Sequence, residues 1–106
     1  MNSRTWKRAE SEAAQIIGGR RVWQKFSAGD AESEAFVADA KKRRTYTQRQ
    51  MRDDLDKLEA NAEIRGRTAV LVLLDTPGRG HKARAPLVVM TAEAFQAWHG
   101  NTEEAE

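Results

Sequence analysis

Asp30 and Asp39 stand nine residues apart, and Lys41 follows two residues after the second aspartate, all within GDAESEAFVADAKKRR. Two carboxylates that converge on one spot repel each other unless a cation sits between them. Hard oxygen ligands with retained waters suit Mg²⁺, with Mn²⁺ as a substitute. A metal held there stabilises charge on a phosphate and lowers the pKa of a bound water, which a lysine alongside can orient or deprotonate. Strand side chains alternate faces, so Asp39 and Lys41 point to one side and Ala38 and Ala40 to the other. If the segment from Asp30 runs antiparallel to the Asp39 strand, or bends back beside it, Asp30 reaches the same side, and the Ala40 carbonyl offers a further ligand. The Asp-x-Lys triplet by itself says little, because a chain this rich in acids and lysines contains about one by chance. A solvated strand edge accounts for it as well.

The elements that must position these residues follow from periodicity and punctuation. Trp6, Ala9, Ala13 and Ile16/Ile17 recur at helical spacing over residues 3–17, and Gly18-Gly19 supplies the stop. A strand is expected from Arg20 to Phe26, then a turn at Ser27-Ala28-Gly29-Asp30, then a strand running from Ala35 through Asp39 to Lys41. Thr47 and Gln50 have the spacing of a capping box, and Tyr46 and Met51 that of a hydrophobic staple. Met51, Leu55, Leu58 and Ala62 then form the apolar stripe of a helix ending before Gly66. TAVLVLLD reads as a central strand covered on both faces, DTPGRGHKARAP as a loop, and PLVVM as another short strand. Thr91 caps a last helix with Phe95 and Trp98 on one face. The order α-β-β-β-α-β-β-α predicts an α/β domain on a mixed sheet.

Composition sets the limits. The 106 residues make one domain over 1–100, with an acidic, frayed tail at 101–106. Charged residues reach 32%, above the roughly 25% of an average soluble protein, which fits a small domain with a very polar surface. Without cysteine there is no disulfide, no thiolate metal site and no cysteine nucleophile. No apolar run is long enough to span a membrane and MNSRTWKRAE has no signal-peptide core, so the cytoplasm is the expected compartment. Removing the three glutamates of NTEEAE takes the formal charge from +2 to +5. A basic body suits a polyanion such as nucleic acid, and a solvated charged surface explains the charge equally well.

Other candidate sites are weaker. His81 and His99 lack the spacing of paired metal ligands, and Gly78-Arg79-Gly80-His81-Lys82 lacks the spacing of a phosphate-binding loop. That stretch reads as a flexible basic loop able to meet a DNA backbone through Arg79, Lys82 and Arg84. Trp6, Trp23 and Trp98 read as core or interface anchors, Phe26 is ambiguous, and Ser27 has no catalytic partner motif. Lys42, Arg43 and Arg44 form either a solvated strand end or, with Arg20, Arg21 and Arg49, a DNA-binding face that brings phosphates to the carboxylates.

The residues also carry a resemblance. TWKRAESEAAQIIGGRRV, then GD, DAKKR, a capped helix, TAVLVLLD and APLVVMTAEAFQAW follow one another in the order of the PD-(D/E)xK nucleases over almost the whole chain. They most resemble the phage and archaeal Holliday-junction resolvases and related phage endonucleases. The resemblance implies a restriction-endonuclease-like fold, a central mixed sheet flanked by helices. It implies Asp30 and Asp39 as the motif acids, Lys41 as its lysine, and Glu10 as the acid of the first helix. Mg²⁺ would then be held by Asp30, Asp39, the Ala40 carbonyl and Glu10, with Gln48 or Gln50 at the start of the next helix supporting the site. The implied activity is cleavage of branched DNA by a homodimer. Nucleases acting on duplex ends, nicks or single strands, and a silent nucleic-acid-binding or phage accessory protein, are the alternatives. Gly29 stands where the pattern has proline, and Asp39 where these resolvases more often have glutamate.

Overall fold

The computed structural model describes residues 3–22 and 29–99. The expectations for the Trp6 side chain, for Trp23, Phe26 and Ser27, for the strand's continuation to Phe26 and for the tail lie outside the described residues. The elements run α1 (Ser3–Ile16), β1 (Arg20–Arg21), β2 (Ala31–Glu32), β3 (Phe36–Lys41), α2 (Gln48–Ile64), β4 (Thr68–Leu73), β5 (Leu87–Val89) and α3 (Ala92–His99). This is the α/β order expected from the sequence, on a five-stranded mixed sheet ordered β1-β2-β3-β4-β5. β3 and β4 are parallel and every other neighbouring pair is antiparallel. A parallel pair needs a crossover, and α2 supplies it.

Strand alternation splits the core into two layers. Ala9, Ala13 and Ala14 of α1 pack on Ala31, Ala38, Ala40, Val70 and Val72. On the opposite face, Leu55, Leu58 and Ala62 of α2 pack on Val37, Ala69 and Leu71. β4 is therefore covered on both sides, as its unbroken apolar run requires. Of the two isoleucines ending α1, Ile17 joins the core, whereas Ile16 is 40% exposed. Gly18, at φ 71, ends that helix in a Schellman turn: its N–H bonds the Gln15 carbonyl and that of Gly19 the Ala14 carbonyl.

α2 begins with the expected capping box. The Gln50 N–H donates to Thr47 Oγ1 at 3.2 Å, and the Thr47 N–H to Gln50 Oε1 at 2.9 Å. Tyr46 and Met51 pack against the α2 core as a staple. The Thr91 hydroxyl caps α3 by accepting the Ala94 N–H, but none of its residues is buried, and Phe95 and Trp98 are 54% and 55% exposed. Trp98 meets the sheet in a tilted ring contact with Phe36, at 5.3 Å between centroids. Among the described residues no helix is long and apolar enough to cross a membrane.

Candidate active site

The two aspartates meet through the β2–β3 pairing. Ala31 faces Ala38 and Glu32 faces Val37, a register that would next set Asp30 opposite Asp39. The pairing slips by one at that point, and the Asp30 N–H donates to the Ala38 carbonyl at 2.8 Å. The Asp30 carboxylate then takes the place of a strand partner, its Oδ2 accepting the Ala40 N–H at 3.0 Å. The same carboxylate lies near enough to Asp39 for its charge to raise the Asp39 carboxyl. Gly29 explains the missing proline: a Cβ there would fall 2.5 Å from Val37 Cγ1 and 3.0 Å from the Ala38 carbonyl oxygen. Only a bare Cα lets the chain come this close to β3.

Asp39 and Lys41 share the α2 face of β3 with Val37, by the two-residue period of a strand. The Asp39 carboxyl is raised from 3.8 to about 6, by burial first and by the Asp30 charge second, with Lys41 opposing both. Two carboxyls so placed favour holding one proton between them, or a cation in its place. The Ala40 carbonyl faces the same edge. Neighbouring peptide groups in a strand point to alternate sides, and the Lys41 carbonyl already accepts the N–H of Leu74, the residue after β4. Two carboxylates and a carbonyl are hard oxygen donors that fit Mg²⁺, which keeps several waters of its own. Among the described residues no group of three or more histidines, cysteines or acids is gathered where it could hold a metal.

Lys41 has a second neighbour that the sequence motif does not contain. Its Nζ lies 3.5 Å from Asp39 Oδ2 and 3.8 Å from Asp54 Oδ2, one face of α2 having brought Asp54 over the strand. Asp54 also accepts the Tyr46 hydroxyl and lies 3.9 Å from Arg43, whose guanidinium sits over the Tyr46 ring. The Tyr46 hydroxyl is held well above its ordinary pKa, by burial first and by the Asp54 hydrogen bond second. Asp54 could have been suspected from its place one turn beyond Gln50, but helical spacing alone does not say which strand residue it meets.

Glu10 is not brought to this group. Its Oε1 accepts from Arg21 Nε at 3.2 Å and Nη2 at 3.1 Å. Arg21 pairs with Ala31, whose side chain belongs to the α1 layer, so Glu10 is engaged on the opposite side of the sheet from Asp39. Gln48 is exposed in the first turn of α2, and the Gln50 side chain serves the capping box.

The basic residues divide between surfaces. Arg43, Arg44 and Arg84 line a groove of about 520 Å³ beyond the ends of β3 and β4, with Asp75 on its wall. Lys42 and Arg84 border a second hollow of about 460 Å³ with Arg8. Asp75 cinches the β4–β5 loop by accepting the Arg84 N–H at 2.8 Å, which holds its own carboxyl below the usual range. Arg79 and Lys82 are exposed within that loop, Arg49 is exposed on α2, and Arg20 pairs with Glu32. No protein-family model, curated protein or solved structure matches this chain.

Proposed function

We propose that this chain is a metal-dependent endodeoxyribonuclease of restriction-endonuclease-like fold, acting on branched DNA such as a four-way junction. The observation that carries the reading is that Asp30, anchored on the Ala40 N–H, lies near enough to Asp39 for its charge to act on it, with Lys41 Nζ beside Asp39. Asp30, Asp39 and the Ala40 carbonyl would hold Mg²⁺ or Mn²⁺. The ion, when bound, supplies charge stabilisation at the phosphate and a more acidic water. Lys41 orients the attacking water and takes part in moving its proton, and Asp54 holds the lysine Nζ at the carboxylate pair. Arg43, Arg44 and Arg84 draw the phosphate backbone toward the site without reading bases, which suits recognition by shape. Two symmetric cuts need two sites, so a homodimer belongs to the proposal. Leu87, Val88, Phe95 and Trp98 leave apolar surface open for a second copy.

The test is cleavage of labelled four-way junction, duplex and single-stranded DNA with Mg²⁺ or Mn²⁺. The expected result is metal-dependent cutting of the junction that Asp39→Ala and Lys41→Ala abolish. Absence of cutting with either metal at high protein concentration would sink the catalytic reading. Equal cutting of single strands would remove the junction preference and leave the nuclease.

A further inference from the structure

The carboxylate of Glu32 gathers three guanidiniums. Arg65 Nη1 lies 2.5 Å and Arg67 Nη1 2.7 Å from its Oε2, and Arg20 Nη2 lies 3.7 Å from its Oε1. The local chain geometry brings them there. Gly66, at φ 68, ends α2 in a Schellman turn, its N–H bonding the Glu63 carbonyl and that of Arg67 the Ala62 carbonyl. The chain thus reverses between Arg65 and Arg67, and both reach back to β2. Arg20 comes from the β1 position directly opposite Glu32.

One carboxylate against three permanently charged guanidiniums leaves a formal surplus of two positive charges. A guanidinium has five N–H donors, and Glu32 accepts a hydrogen bond from Arg65 and one from Arg67, so most donors of the set remain for another acceptor. Tying α2 to β2 needs one of these arginines, not three. The cluster also lies on the face of the proposed site. Glu32 is paired with Val37, and Asp39 follows on the same face about 7 Å along β3. There α2 packs on β3 and β4, whereas α1 packs on β1, β2 and β3 from the other side. The Arg20 side chain is 84% exposed.

We propose that Arg20, Arg65 and Arg67, organised by Glu32, form a phosphate cradle that grips the DNA backbone beside the phosphate presented to Asp30 and Asp39. The cradle rests on the DNA reading above, though not on catalysis. Planar guanidiniums match phosphate oxygens in paired hydrogen bonds, and a backbone phosphate cancels the surplus charge.

Binding of fluorescein-labelled duplex and four-way junction is measured by anisotropy without divalent metal, from 50 to 200 mM salt. Each lost phosphate contact should shallow the plot of log affinity against log salt by about 0.9. Arg20→Gln should do so by about one such step, the Arg65→Gln/Arg67→Gln pair by about two, and Arg20→Lys should keep the slope. Arg20 is exposed enough for its variant to fold, so it decides the matter if the double variant does not. Lowered melting temperatures with slope and affinity unchanged would make the cluster a structural tie and overturn the cradle, as would wild-type protein that binds neither DNA. Slope changes in a protein that cuts nothing would support the cradle while the nuclease reading fails.

Discussion

Against α1, Glu10 and Arg21 meet as one pair of opposite charges beside a layer of alanines, whereas against α2 Asp30 and Asp39 crowd together with Lys41 and Asp54 alongside. In the first, opposite charges meet through hydrogen bonds from Arg21 to Glu10. The second brings like charges together in a partly buried place, where burial first and the Asp30 charge second raise the Asp39 carboxyl to about 6. Like-charge crowding costs stability, and a bound cation relieves it, so perturbed acids of this kind mark candidate sites more often than structural pairs do. The α2 face repeats the imbalance with opposite sign at Glu32 and its three arginines.

The difference between the faces can be broken most severely at Lys41 and Asp39. Lys41→Ala or Asp39→Ala should lower metal-dependent cleavage by about 10³-fold or more, measured on labelled junction DNA, while leaving the far-UV circular dichroism unchanged. Next comes Asp54→Asn, which removes the charge behind Lys41 Nζ. It should reduce kcat about 10-fold to 100-fold with little change in KM, and Asp54→Glu should restore part of it. Equal losses for both variants, or a change confined to KM, would take Asp54 out of the lysine's support.

A stability measurement tests the crowding directly. The folded Asp39 carboxyl, raised from 3.8 to about 6, binds protons more tightly than the unfolded one. Stability is therefore highest at low pH with respect to this group, and falls as pH rises from about 4 to about 6. Asp39→Asn should lack that fall and be about 1–2 kcal/mol more stable than wild type at pH 7 without metal, by denaturant melts. Mg²⁺ should raise the wild-type melting temperature and not that of the variant. A wild-type curve flat across this range would mean that the carboxylates do not strain the fold.

The smallest effect is expected on the α1 face. Glu10→Gln removes half of a part-buried pair and should cost less than about 1 kcal/mol, with cleavage within about threefold of wild type. A loss of cleavage comparable to that of Asp39→Ala would return Glu10 to the site and erase the division between the faces.

Much of this domain is local and was therefore readable along the chain. Capping at Thr47 and Gln50, the apolar stripe of α2 and the buried run of β4 depend on residues a few positions apart, where helix and strand periods act directly. The same holds for Asp39 and Lys41 sharing a face, which needs only the strand period. Phe95 and Trp98 mark the limit of such reasoning: their spacing makes one apolar face of α3, but says nothing of what the face meets.

The sequence left the approach of Asp30 to Asp39 conditional on the pairing, and the other relations across the sheet lay beyond its reach. Asp30 reaches Asp39 because the pairing slips by one at a glycine pressed against Val37. Glu10 goes to Arg21 because β1 turns that arginine toward α1, and Asp54 comes to Lys41 because the crossover helix lands on the lysine's side. Local periodicity decides which residues of one element share a face. Only the packing of elements decides which faces meet, since burial rewards any arrangement that covers the apolar stripes and polar neighbours follow from the one adopted.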